Sequence, residues 1–225
     1  MSIISINIYD KLNDTGEDEE LEVFSHEKRE IVNGYNEQLQ TYVLINNISP
    51  TGYQNIQIIN DEIFAQTVRV KGEVVHQVIK QDMYQAYVKV RDKRPRGVGN
   101  LVTLCRKDSS LKTKEILEEN FGNEYEQHKF DILKIIDAAS DVRNARFKVK
   151  IETVSSVSMG GTRVHDTQYY AEMLRKGQLS AVIINYDMPQ QAVTIRINVD
   201  GTVLLYNSLT DFEILDLVED LLNIE

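Results

Sequence analysis

Residues 181–206, AVIINYDMPQQAVTIRINVDGTVLLY, decide the fold. Three runs rich in β-branched residues, 181–186, 193–199 and 202–206, read as consecutive strands, and Asp200-Gly201 between the last two is a strong hairpin signal because Gly accepts positive φ. The segment is therefore a three-stranded antiparallel meander. Directly after it, Thr210-Asp-Phe-Glu213 fits a capping box, in which the Thr hydroxyl takes a free backbone N–H of the first turn and the Glu carboxylate reaches back to the cap. Phe212, Leu215, Val218, Leu221 and Leu222 then form an apolar stripe, so a capped helix is expected to lie on the meander.

Upstream of the meander, Thr167 to Lys176 reads as a short helix stopped at Gly177, taken as a left-handed C-terminal glycine. Residues 155–166, SSVSMGGTRVHD, read as a loop. Between Arg146 and Val154, Phe147, Val149 and Ile151 alternate with Lys148, Lys150 and Glu152, a strand with one charged face turned to solvent. Two helices are expected at about 111–121 and 124–139, interrupted by Gly122-Asn123. The first half is mostly sheet: 3–9, 39–45, 55–59, 66–70, 73–79, 84–90 and 100–105 carry strand character, with Lys71-Gly72 as a tight turn. The fold class is α+β: a β-rich N-terminal part (1–108) with a long basic hairpin, followed by an α/β C-terminal part (109–225) whose meander packs on helices.

Composition bounds the function. The chain has 225 residues, 25 Lys+Arg against 35 Asp+Glu, and a net charge of −10. With 42% hydrophobic and 27% charged residues it is globular rather than disordered. One Cys, Cys105, excludes an internal disulfide and reads as a small buried hydrophobe. The N-terminus, MSIISINIYD, lacks the features of a signal peptide, and no apolar run approaches 18 residues, so a cytoplasmic protein with no membrane partner is expected. The acidic stretch 14–20 reads as a solvated loop.

Against that acidic background, residues 89–114 hold nine bases and two acids, a local charge of +7, which leaves −17 on the remainder. Lys89, Arg91, Lys93, Arg94 and Arg96 sit in or beside RDKRPRGVG, a hairpin tip by strand assignment, and Arg106 and Lys107 follow the next strand. Such a tip can track phosphates, with Arg supplying bidentate contacts. It can equally stay solvated, dock on the acidic stretches 14–20 or 211–225, or meet an acidic protein partner. Tyr84 and Tyr87, three apart, fall on opposite faces of a strand and make no joint stacking platform.

Chemistry is sparsely signalled. His26, His76, His128 and His165 lack metal-ligand spacing, and nothing asks for a cofactor. Ser158-Met-Gly-Gly-Thr-Arg163 with His165-Asp166 is the best candidate for a catalytic site: amides of Gly160 and Gly161 converging on an anion, Arg163 clamping it, His165 as acid or base beside Asp166. It matches no Walker, GxGxxG or GxSxG pattern. The expected function is thus a non-enzymatic binding or adaptor protein that contacts nucleic acid or an acidic partner surface through the basic hairpin. The alternatives are an enzyme for a phosphorylated or nucleic-acid substrate at the Gly160-Gly161 loop, or an acidic protein-binding component of a bacterial or phage regulatory or defence system.

Overall fold

The computed structural model describes residues 3–13, 22–90 and 97–224. The acidic stretch 14–20 and the loop bases Arg91, Lys93, Arg94 and Arg96 lie outside the described residues. One large antiparallel sheet dominates, and strands make up 54% and helices 23% of the described residues. The α+β expectation thus holds as a mixed fold, but a far more sheet-rich one.

The elements run β1 (Ile4–Lys11), β2 (Phe24–Val32), β3 (Tyr35–Ile48), β4 (Tyr53–Val70), β5 (Glu73–Lys89), β6 (Leu101–Thr103), α1 (Lys107–Phe121), β7 (Tyr125–Gln127), α2 (Ile132–Ala138), β8 (Asp141–Ile151) and β9 (Val154–Gly160). A 3₁₀ turn (Val164–Asp166), α3 (Gln168–Lys176), β10 (Gly177–Asp187), β11 (Ala192–Asn198), β12 (Thr202–Leu205) and α4 (Asp211–Asn223) complete the chain. Across the sheet the order is β2-β3-β4-β5-β6-β1-β12-β11-β10-β8-β9, with β7 pairing β1 off this path. The meander is therefore three adjacent strands of a twelve-stranded sheet, and β1 against β12 carries that sheet across the 108/109 boundary.

Neighbouring residues on a strand face opposite sides, so β1 splits its apolar side chains between two cores. Ile6 and Ile8 join Phe147, Val182, Ile184, Ile195 and Leu205 beneath α2, α3 and α4, whereas Tyr9 joins Ile56, Ile58 and Leu101 beneath Ile116 and Leu117 of α1. Helices thus cover one face from β5 to β8, and α1 covers the other only near β1 and β4–β6. Among the described residues no helix lies on the opposite face of β8–β12.

Several expectations are corrected. β2 was not foreseen: Ser25 to Glu30 is almost wholly polar, and its apolar signal is confined to the ends. The short runs in 39–90 merge into strands of 14, 18 and 17 residues. The helix expected over 124–139 is β7 followed by the shorter α2, because Tyr125 to Gln127 pair with Lys11 to Tyr9. Part of the loop 155–166 is β9, paired with β8 from Asn144↔Gly160 to Lys148↔Ser156. Gly177 is extended (φ −153°), and its need for hydrogen is steric: a Cβ there would lie 2.5 Å from the Lys148 carbonyl oxygen.

Other readings hold. The Lys71-Gly72 turn has φ of 50° and 92°, the two positive values of a type I′ hairpin. The Thr210–Glu213 capping box forms with both of its hydrogen bonds. The stripe on α4 is Ile214, Leu215, Leu217, Val218, Leu221 and Leu222; Phe212 is half exposed in the first turn and outside it. Among the described residues no helix is long and apolar enough to cross a membrane.

Candidate polyanion-binding face

Only half of the outlying sheet β8–β12 is paired with helices, which dictates what its strands carry. Val142, Ala145, Phe147 and Val149 of β8 point to the helices and are buried, while Arg146, Lys148 and Lys150 point away and are exposed. The register places Ser158, Arg146, Ala181 and Asn198 in one row across β9, β8, β10 and β11, and Asn144, Ile183 and Arg196 in the next. Ser156 lies beside Lys148. Arg196, two strands from β8 and about 10 Å away at normal strand spacing, so joins the bases of β8 on one open face.

Two shallow recesses of about 280 Å³ each form there, one lined by Asn144, Arg146, Ser156, Ser158 and Arg196, the other by Arg146, Lys148, Ser156, Ser180, Arg196 and Asn198 with Asp200 at its end. The ion pairs formed among the described residues leave Arg146, Lys148 and Arg196 out. The Arg196 Nε–H is held by Asn198 Oδ1 at 3.1 Å, and Ser158 donates to Asn144 Oδ1 at 3.1 Å. The rim acid, Asp200, is paired with Lys107 at 3.2 Å. On a chain of charge −10 this is a concentrated basic surface with hydroxyl and amide donors between the charges. The chemistry it offers is recognition of anionic oxygen.

The bases expected as contacts fall in three places. Arg91, Lys93, Arg94 and Arg96 lie outside the described residues, although the root of their loop is well held: Gly97 O accepts from Lys11 N at 2.8 Å and Gly99 N donates to Asp10 Oδ1 at 2.7 Å. Arg106 and Lys107 are exposed at the start of α1. Lys89 is removed from solvent. Its ammonium lies 2.8 Å from Glu219 of α4, donates to the Thr51 carbonyl at 2.6 Å and sits 4.4 Å from the Tyr53 ring centroid, with 4% of the side chain exposed. A nearby hydroxyl ties the same two elements, since Tyr87 donates to Asp211 in the first turn of α4. Burial first, and that carboxylate second, push the Tyr87 phenol pKa up and keep it a donor.

The glycine loop is built differently from an anion cradle. Gly160 is a strand residue, and the Gly161 N–H is used by the Arg143 carbonyl at 3.0 Å. Arg163, His165 and Asp166 do come together: Asp166 accepts Arg163 Nε at 2.7 Å and lies 3.4 Å from His165 Nε2. Asp141 Oδ1 accepts the Arg163 backbone N–H at 2.7 Å, which with Arg143 holds its carboxyl below the ordinary range. Among the described residues no hydroxyl or thiol is hydrogen-bonded to His165, and its Nδ1 is buried without a partner. The cluster closes a turn. His128 is committed to Asp10, 2.9 Å from Nδ1, and burial raises the Cys105 thiol pKa, so it is no ready thiolate. Among the described residues no three metal-ligating side chains gather.

Alternation in 146–150 marked an outward charged face in the sequence, but Arg196 reaches it only through the β10–β11 register. No known family model and no curated protein matches the chain.

Proposed function

We propose that the protein is a non-enzymatic nucleic-acid-binding protein that holds the sugar–phosphate backbone on the open face of β8–β12. The observation that carries this reading is the set Arg146, Lys148 and Arg196, gathered on one face that no described helix covers, with carboxylate partners among the described residues for none of them. Bases two residues apart on β8 repeat at about 6.7 Å, a linear row that an extended anionic chain can follow. Among the described residues no aromatic side chain lines either recess, which favours backbone contact over base stacking and hence weak sequence preference. The loop bases Arg91, Lys93, Arg94 and Arg96 supply a second set of phosphate contacts.

The test is fluorescence-polarisation titration of short single- and double-stranded oligonucleotides at about 50 and about 200 mM salt, where phosphate contacts reveal themselves by counterion release. Binding independent of sequence is expected. Replacing Arg146, Lys148 and Arg196 by Ala should flatten the log–log salt slope by roughly 2 to 3, at about 0.7–0.9 per lost contact. An unchanged slope in the triple variant, or no binding at the lower salt, overturns the reading. The Arg91/Lys93/Arg94/Arg96 quadruple Ala variant then apportions what remains to the loop.

A further inference from the structure

The two ends of the sheet are dressed differently. β2 closes one end with His26, Glu27, Lys28, Arg29 and Glu30, the charged dress by which exposed edges avoid pairing with other chains. β9 closes the other end with Val154-Ser-Ser-Val-Ser-Met-Gly160, which has no charge and no proline. Its backbone is prepared for a further strand. Because Gly161 N–H bonds to Arg143 O, the ladder's alternation sends the N–H and C=O of 157 and 159 to β8 and those of Ser156, Ser158 and Gly160 outward. Beside this edge runs an open apolar groove of about 540 Å³ between β9 and α3, lined by Val157, Met159, Val164, Tyr169 and Met173. Tyr169 is 73% exposed, and the groove lacks its outer wall.

We infer that β9 pairs antiparallel with β9 of a second copy of this chain, about a two-fold axis perpendicular to the sheet through Val157. This register uses all seven residues of the strand: Val154 opposes the partner's Gly160, Ser156 the partner's Ser158, and Val157 itself. Opposed residues share a face, so each copy's Val157 and Met159 lie on the helix side and wall the other's groove. Charge selects this occupant. The paired strands bring no like charges together in a chain of −10, and the exposed Glu152 before β9 arrives beside the partner's exposed Arg163. The same axis sets both open faces side by side, so that Arg146 and Lys148 of the two copies flank a shared strip of serines.

Light scattering on the size-exclusion peak of the protein without nucleic acid tests this independently of the binding reading. A mass of twice 25.9 kDa is expected. In a Cys105→Ser background, Val157→Cys should give a disulfide-linked dimer under mild oxidation, because a non-hydrogen-bonded self-pair places its Cα atoms about 4.5 Å apart. Val154→Cys, opposite a glycine, should not. Ser158→Pro, which deletes an outward N–H that β8 does not use, should give a monomer with unchanged far-UV circular dichroism. A wild-type monomer at about 100 µM, including one that captures an extended peptide instead, overturns the inference. So do equal cross-linking at 154 and 157 and a dimer that survives Ser158→Pro.

Discussion

Tyr87-Val-Lys89-Val90 at the end of β5 and Phe147-Lys148-Val-Lys150 on β8 are built from the same residue types, an aromatic followed by alternating valines and lysines, with the lysine on the aromatic's face in the first and on the opposite face in the second. Their outcomes are opposite. β5 lies between α1 and α4, so every residue from Ala86 to Val90 is buried and Lys89 must be neutralised where it stands. β8 has helices on one side alone, and its lysines remain in water. What distinguishes them is a carboxylate 130 positions away, Glu219, carried in on the last helix. A lysine on a strand is therefore a structural or a binding residue according to what covers its face.

The largest expected effect breaks the covered half of this comparison. Lys89→Ala takes the buried ammonium away from Glu219, whose side chain is 17% exposed, and removing one partner of a buried pair costs about 3–5 kcal/mol. The midpoint of urea unfolding should fall accordingly. Lys89→Met combined with Glu219→Gln should recover most of the loss, since no charge is then left uncompensated. If Lys89→Ala leaves the midpoint in place, the pair does not hold α4 to β5.

A smaller change acts on the cover itself. Thr210→Ala removes the acceptor for Glu213 N and the hydroxyl's own bond to the Glu213 carboxylate, leaving only the bond from the residue-210 backbone N–H to that carboxylate, which should lower stability by about 1 kcal/mol. Oligonucleotide affinity should stay constant, because α4 lies on the face opposite Arg146. A proportionate loss of binding would tie the two faces together.

The half-covered strand has an acid-sensitive tie of its own. Asp141 begins β8 and accepts the Arg163 N–H, and its folded pKa is lowered by that bond first and by Arg143 after it. A depressed folded pKa means that the stabilisation is present above the unfolded carboxyl pKa, about 3.9, and is lost as pH falls through the folded value. Asp141→Asn should therefore flatten the acid limb of the stability profile below about pH 4. An acid limb of unchanged slope assigns that loss to other carboxylates.

Local chemistry accounts for what the sequence disclosed. Capping at Thr210 and Glu213, the positive-φ turn at Lys71-Gly72 and the hairpin at Asp200-Gly201 each depend on residues a few positions apart, and all are read directly. β2 was hidden because an edge strand needs no apolar alternation along its middle, and Tyr125–Gln127 because their partners are in β1, more than a hundred positions away. The candidate face was half legible. Alternation announced Lys148 and Lys150 as outward, and burial of Lys89 by a distant helix left no local trace. Arg196 joined the face through two strand registers that periodicity does not encode.

Lys148→Ala should move stability least of all, within about 0.5 kcal/mol, because an exposed side chain outside any ion pair has little to lose. The substitution is informative for that reason. Lys89 and Lys148 are both strand lysines near an aromatic, Lys89 on the covered face with Tyr87 and Lys148 on the face opposite Phe147, so a stability scan that separates them by several kcal/mol isolates the effect of cover from that of residue type. Salt-dependent binding should separate them in the reverse sense. A Lys148 variant that folds like the parent yet loses one phosphate contact's worth of slope, about 0.7–0.9, assigns the uncovered lysine to the ligand; a parental slope would leave it as ordinary surface charge.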